Sequence, residues 1–284
     1  MLENGRLDSL PSHSASLNDA HAAWQLKSIS RYRFNVLDLL DMFGRKAIMY
    51  HLFADIDMTV IENFRQKAKR EGNSLTVTAF LLKAIAVAQQ EHRLSRTFYL
   101  PGLRMVTYVE PVAGFTVERL VDGAPAVFFG EIEEPQELSL KEIGSILKAY
   151  ADRDIEVVPK LRQQKLFAEM PRPIRQVILR LAELFPYFRA KCMAATFGLS
   201  SLGALGVSAV CGPSVCTCVF GVGEVKDRVV VEGGKPVVKP IMTLALSFDQ
   251  RILTSYEAAR FFQDVLQLLE GGLDELKELK DCTD

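Results

Sequence analysis

Residues 241–270 read IMTLALSFDQRILTSYEAARFFQDVLQLLE, and the period of their pattern changes halfway. Up to Phe248 the apolar residues follow a strand pattern. Asp249-Gln250-Arg251 then breaks the run as a sharp polar turn. Beyond it Ala258, Phe261, Phe262, Val265 and Leu268 fall on one side of a helix. Thr254 and Ser255 stand where a helix N-cap belongs. A strand, a tight polar turn and an amphipathic helix in this order predict a mixed α and β chain.

Working outward, the strand of this unit reads as Lys239–Phe248, and a further strand, Cys216–Gly223, precedes it across a loop holding Gly233-Gly234. Before them comes ATFGLSSLGALGV, residues 195–207. Residues 160–192 read as a helical region with prolines at 171, 173 and 186. Within it Val177, Leu181 and Leu184 form a stripe, read as packing on the core, covering a site or touching another subunit. Ser139 with Glu142 three residues on has the spacing of a capping box over a helix at 139–151. RMVTYVEPVAGFTVER and APAVFFGEI predict two strands around a turn at Asp122-Gly123. A long helix over 75–92 is preceded by Asn73-Ser74 as its expected cap, a helix over 60–71, and a strand over 51–59 with Leu52, Ala54, Ile56 and Met58 on one face. A short helix over 32–47 is expected to turn Phe34, Leu37, Leu40 and Phe43 inward. Residues 1–28 are polar and aperiodic and read as an extended arm, leaving 29–284 as a single domain.

The chain's bulk properties narrow the function classes. Its 284 residues are 49% hydrophobic and 24% charged, enough for a sizeable core. Thirty-four basic and 35 acidic residues give a net charge of −1, which offers no electrostatic case for nucleic acid. No run of about 18 apolar residues exists, so no membrane span is expected. Five cysteines, an odd number with three inside 211–218, do not read as a disulfide framework, and reduced thiols in a cytoplasmic setting are expected. Cys211, Cys216 and Cys218 lack a second cluster at metal-ligand spacing and read as small core residues. No metal site is expected.

Residues 246–262 carry a resemblance. Leu246, Ser247, Phe248, Asp249, Arg251, Ala258, Ala259 and Phe262 match the C-terminal signature L-S-x-D-H-R-x-x-D-G and A-x-x-F helix of the acyltransferase catalytic domains of 2-oxoacid dehydrogenase complexes. The segment T-F-x-L-S-S-L-G at 196–203 is similar to that family's as well. The resemblance implies an α/β (α+β sandwich) fold of the chloramphenicol-acetyltransferase-like kind, a mixed sheet with helices packed on it, and a homotrimer whose sites lie between subunits. It implies no tightly bound cofactor and a coenzyme A or carrier thioester as co-substrate and partner.

The resemblance also assigns site residues. Ser200 falls on the hydroxyl that stabilises the oxyanion, and otherwise reads as a turn or cap hydroxyl. Asp249 and Arg251 fall on an ion pair that holds the turn. Gln250 falls on the catalytic histidine, Thr254 on the motif's second aspartate and Ser255 on its glycine. A glutamine has no proton to exchange near neutral pH and cannot serve as a general base. Loss of a positioned base costs about 10²–10⁴-fold in rate, while a retained oxyanion donor is worth roughly 10²–10³-fold. His13, His21, His51 and His92 are the only histidines, each an ordinary histidine or a relocated base. Two functions therefore stand: a stand-alone acyltransferase working without the motif histidine, and an inactive relative that binds an acyl ligand or acts as a scaffold.

Overall fold

The long hairpin at the centre of the molecule organises the rest. The computed structural model describes residues 34–121, 123–213 and 215–273, all within one compact unit, Arg31–Asp284. The proposed arm at 1–28, with His13 and His21, lies outside the described residues. In chain order the elements are α1 (Phe34–Met42), β1 (Met49–Asp57), α2 (Thr59–Arg70), α3 (Val77–Glu91), β2 (Thr97–Leu100), β3 (Arg104–Thr107), β4 (Val112–Val121), β5 (Ala124–Glu133), α4 (Leu140–Asp152), α5 (Pro159–Glu169), α6 (Arg172–Leu184), α7 (Pro186–Cys192), β6 (Phe197–Ser201), β7 (Cys218–Glu232), β8 (Lys235–Asp249) and α8 (Ser255–Gln267).

The main sheet has the order β1-β8-β7-β6-β4-β5, and β2 and β3 make a separate small sheet. β6 runs parallel to both β4 and β7, and the other pairs are antiparallel. Gly233 and Gly234, at φ 57° and 79°, close the β7–β8 hairpin. Two successive positive φ values give a turn whose twist suits a two-residue hairpin. The loop expected there is in fact a continuation of both strands to the turn.

Helices pack on one face of the sheet. Phe197, Leu199, Phe220, Leu246 and Phe248 from the strands meet Phe80, Ile85, Phe261 and Val265 from α3 and α8 in one buried core. Because strand side chains alternate, Gly198, Ser200, Val219, Gly221, Ala245, Ser247, His51 and Phe53 belong to the opposite face. A loop crosses that face. A Cβ on Gly221 would stand 1.8 Å from the Val210 carbonyl oxygen, and one on Gly223 2.0 Å from that of Ser208, so glycine lets residues 208–210 lie directly on β7. At the far edge the Gln164 side chain of α5 accepts from Phe129 N–H at 2.9 Å and donates to its carbonyl at 2.7 Å, sealing β5.

Several sequence expectations shift. The strand expected over 104–119 divides at Pro111 into β3 and β4, which belong to different sheets; proline has no N–H to continue a ladder. β2 was not foreseen. α3 is capped by Thr76, whose hydroxyl accepts from Ala79 N–H, in place of Asn73-Ser74. In α1 the buried residue is Leu39, while Leu37 is exposed. The largest change is in α6. Its stripe of Val177 and Leu184 faces solvent, and the helix seats Arg175, Leu179 and Ala182 inward instead. Arg175 is accommodated by Asp38 of α1 at 2.8 Å, so a salt bridge fills the place where an apolar stripe was expected.

Candidate active site

The turn after β8 is built by Asp249. The residue is 4% exposed. The carboxylate accepts from Ile48 N–H at 3.3 Å, from Arg251 N–H at 3.1 Å, and from the Arg251 guanidinium at 2.5–3.0 Å. Its carbonyl accepts from Ile252 and Leu253 N–H. One carboxylate thereby replaces several backbone partners that a chain reversing this sharply would lose. The Arg251 guanidinium lies 4.9 Å from the centre of the Tyr99 ring. The turn is fastened on both sides, because Asp249 N–H donates to Thr217 O at 3.0 Å and Gln250 N–H to Ile48 O at 2.9 Å. Asp249 and Arg251 thus stand as the ion pair described for the turn.

Thr254 has a defined task. Its hydroxyl accepts from Glu257 N–H, and Glu257 in turn accepts from Thr254 N–H at 2.9 Å, a complete capping box over α8. Ser255 is the first residue of that helix. The Thr254 hydroxyl thus both donates to the Glu257 carboxylate, at 2.8 Å, and accepts from its backbone N–H.

Ser200 and Gln250 do not meet within one chain. Ser200 is registered with Gly221, and Gly221 with Ala245. Gln250 lies five residues past Ala245, roughly 16 Å along the strand and two strand spacings, ~10 Å, sideways. Both residues are partly exposed.

Behind the turn is a small cavity of about 40 Å³ lined by Phe43, Phe98, Arg189, Cys216, Asp249 and Arg251 among others. Arg189, from α7, is 4% exposed. It donates to Val215 O at 2.8 Å and sits over the Phe98 ring at 4.1 Å, while its Nε has no partner. Burial lowers the pKa of this guanidinium. A larger depression of about 420 Å³ is lined by Leu37, Asp38, Asp41, Arg45 and Arg172 among others.

Cys216 and Cys218 are buried, whereas Cys211 is exposed. Burial pushes the Cys216 thiol up to about 12 and that of Cys218 well above the usual thiol value, so neither is a reactive thiolate. Among the described residues no group of three or more His, Cys, Asp or Glu is placed to hold a metal.

Sequence reading missed Arg189, whose burial depends on a helix and a loop 26 residues apart closing around it. It also missed a pairing of His51 with Ser247, whose side chains lie 2.8 Å apart across β1 and β8. Strand pairing between positions 196 residues apart leaves no local signal. His92 is held by Asp264 of α8 at 2.6 Å.

The mixed sheet with helices packed on one face is the α+β fold expected from the sequence, and it is shared with solved acyltransferase cores. Residues 189–276 match the family model of the 2-oxoacid dehydrogenases acyltransferase (catalytic domain). The lipoamide acyltransferase component of the branched-chain alpha-keto acid dehydrogenase complex of Pseudomonas aeruginosa is 38% identical over 86 residues, 29% of this chain and 20% of that protein. The dihydrolipoyllysine-residue acetyltransferase component of the acetoin cleaving system of Bacillus subtilis is 26% identical over 205 residues, 71% of this chain and 43% of that protein. These matches span less than half the length of either relative. Among solved structures, dihydrolipoamide acetyltransferase of Azotobacter vinelandii has a TM-score of 0.67 at 20% identity, covering 94% of this chain and all of that one. The truncated catalytic core of the 2-oxoacid dehydrogenase complex of Thermoplasma acidophilum has a TM-score of 0.60 at 16% identity, covering 87% and 98%.

Proposed function

We propose that this chain handles an acyl thioester, of coenzyme A or an acyl carrier, at a site shared between copies of itself arranged as a trimer. The observation that carries this reading is the separation of Ser200 from the turn at 249–251. Ser200 and the flanking Asp249 and Arg251 match the resembled motifs, yet Ser200 and the turn are roughly 19 Å apart by strand register. Groups so placed serve one reaction only if one copy presents its turn to the Ser200 of another. Ser200 then donates to the carbonyl oxygen as charge develops on it. Asp249 and Arg251 keep the turn rigid, and Gln250 occupies the place of the family's histidine. Without that base, transfer proceeds slowly or to a nucleophile deprotonated by another group.

Gln250 also favours a second reading, an acyl-ligand binder or scaffold with no turnover. Calorimetry with acyl-CoAs of increasing chain length, run beside an assay for released thiol, separates the two. Release that falls about 10–10³-fold in Ser200→Ala with affinity held within a few-fold supports the enzyme, as expected for a lost oxyanion donor. Binding without release in every case supports the binder. Neither binding nor release leaves the scaffold.

A further inference from the structure

The cavity behind the turn at 249–251 carries a positive charge that its own walls leave unanswered. Arg189, one of the lining residues, is 4% exposed. Its guanidinium donates through Nη2 to Val215 O at 2.8 Å. The same group lies 4.1 Å from the centre of the Phe98 ring and 4.9 Å from that of Phe43. Those ring faces attract the cation, but Nε is buried and has no acceptor. An arginine cannot shed its proton inside a protein, so the charge persists. Glu183, whose charge reaches Arg189, is paired with Lys46. Asp249, which lines the same cavity, is paired with Arg251. The charged lining residues are therefore two guanidinium groups, Arg189 and Arg251, against one carboxylate. Cys216 lines the cavity too, and burial keeps its thiol protonated. A second buried donor lacks a partner nearby: the hydroxyl of Tyr108, whose ring packs edge-on against Phe98 at 5.2 Å. Two side chains with orphaned donors thus gather around one phenylalanine. Buried charge is costly unless it is both paired and hydrogen-bonded.

We propose that this cavity is a binding site for a compact monoanion, a halide or a carboxylate of formate size, held by Arg189. The anion gives Nε its acceptor and balances the second guanidinium. Size sets the class of ligand. About 40 Å³ exceeds the roughly 10–15 Å³ that one water needs, and it is far below the ~300 Å³ at which drug-sized pockets begin. One unbalanced charge suits a monoanion and not a phosphate dianion. The site lies within one copy of the chain and involves no thioester, so it is independent of the function proposed above. Its effect falls on the turn: with the charge balanced beside Asp249 and Arg251, the segment carrying Gln250 is held more firmly.

The test has two arms on the full chain. Crystals are soaked in sodium bromide, located by anomalous scattering, and separately in sodium formate. Bromide or formate at hydrogen-bond distance from Arg189 Nε supports the proposal. Water alone in the cavity after both soaks, with any anion confined to the surface, overturns it. In solution, thermal melting is followed while bromide or formate replaces gluconate, an anion too large for the cavity, at constant ionic strength. The expected result is a saturable rise in melting temperature of about 2–4 °C with at least one of them, as for a ligand that binds only the folded chain. A rise with bromide alone marks a halide site, and a rise with formate marks a carboxylate site. Arg189→Met keeps the length of the side chain, removes its charge, and is expected to lose the rise. A rise of equal size in that variant, or none in wild type, overturns the assignment. Should Arg189→Met fail to fold, the wild-type crystals decide the question without it.

Discussion

Asp249 commits both carboxylate oxygens to groups that bend the chain, and Arg251 balances its charge. Removing one partner of so buried a pair leaves the other uncompensated, at a cost of about 3–5 kcal/mol. Arg251→Met is therefore expected to lower the urea midpoint by an amount near the lower end of that range, because the arginine itself is partly exposed. An unchanged midpoint would mean that the pair does not hold the turn. Gln250 sits between these residues with its backbone tied to Ile48. Gln250→His, alone or with Thr254→Asp, is expected to raise thiol-dependent exchange from acyl-CoA without altering the circular dichroism spectrum. Aspartate is itself a good N-cap, so the second change keeps the start of α8. No gain from the double substitution would show that the pocket differs by more than its base.

At the scale of elements, capping and glycine placement do most of the positioning. Thr254→Ala removes one half of the box over α8 and is expected to cost about 1 kcal/mol, read as a lower midpoint with an unchanged slope. Gly221 has the larger reach. An alanine there would drive its Cβ into the Val210 carbonyl, and backbone has nowhere to retreat without lifting the loop. Gly221→Ala is expected to lift the loop at 208–211 off β7, changing the alkylation rate of the exposed Cys211 while Cys216 and Cys218 stay unlabelled inside the core. Labelling of all three would indicate general unfolding. The capping box at Ser139 and Glu142 was readable directly, because its two side chains are three residues apart and answer to backbone beside them. The inward face of α6 was not. Its apolar stripe was the stronger local pattern, but Arg175 finds Asp38 across the fold and turns the helix the other way.

At the scale of the whole molecule, the proposed shared site requires association. Light scattering at micromolar concentration is expected to give about three times 31.7 kDa, and a stable monomer would remove the site shared between copies. α6 and α7 leave Ile174, Val177, Leu184, Phe185, Tyr187 and Phe188 exposed, an apolar surface of the kind that often marks contact with another molecule.

The ion pair of the turn was legible only through the family resemblance, whereas the sequence by itself determined the strand–turn–helix unit at 241–270 and the caps at Ser139 and Thr254. Each depends on groups within a few positions of one another, where spacing alone fixes which atoms meet. The tertiary structure decided the rest. It alone places Ser200 far from Gln250 in one chain, buries Arg189 over the Phe98 ring, and joins His51 to Ser247. Those contacts depend on strand register and on a helix and a loop closing together, and register between distant strands is settled by the packing of the whole core.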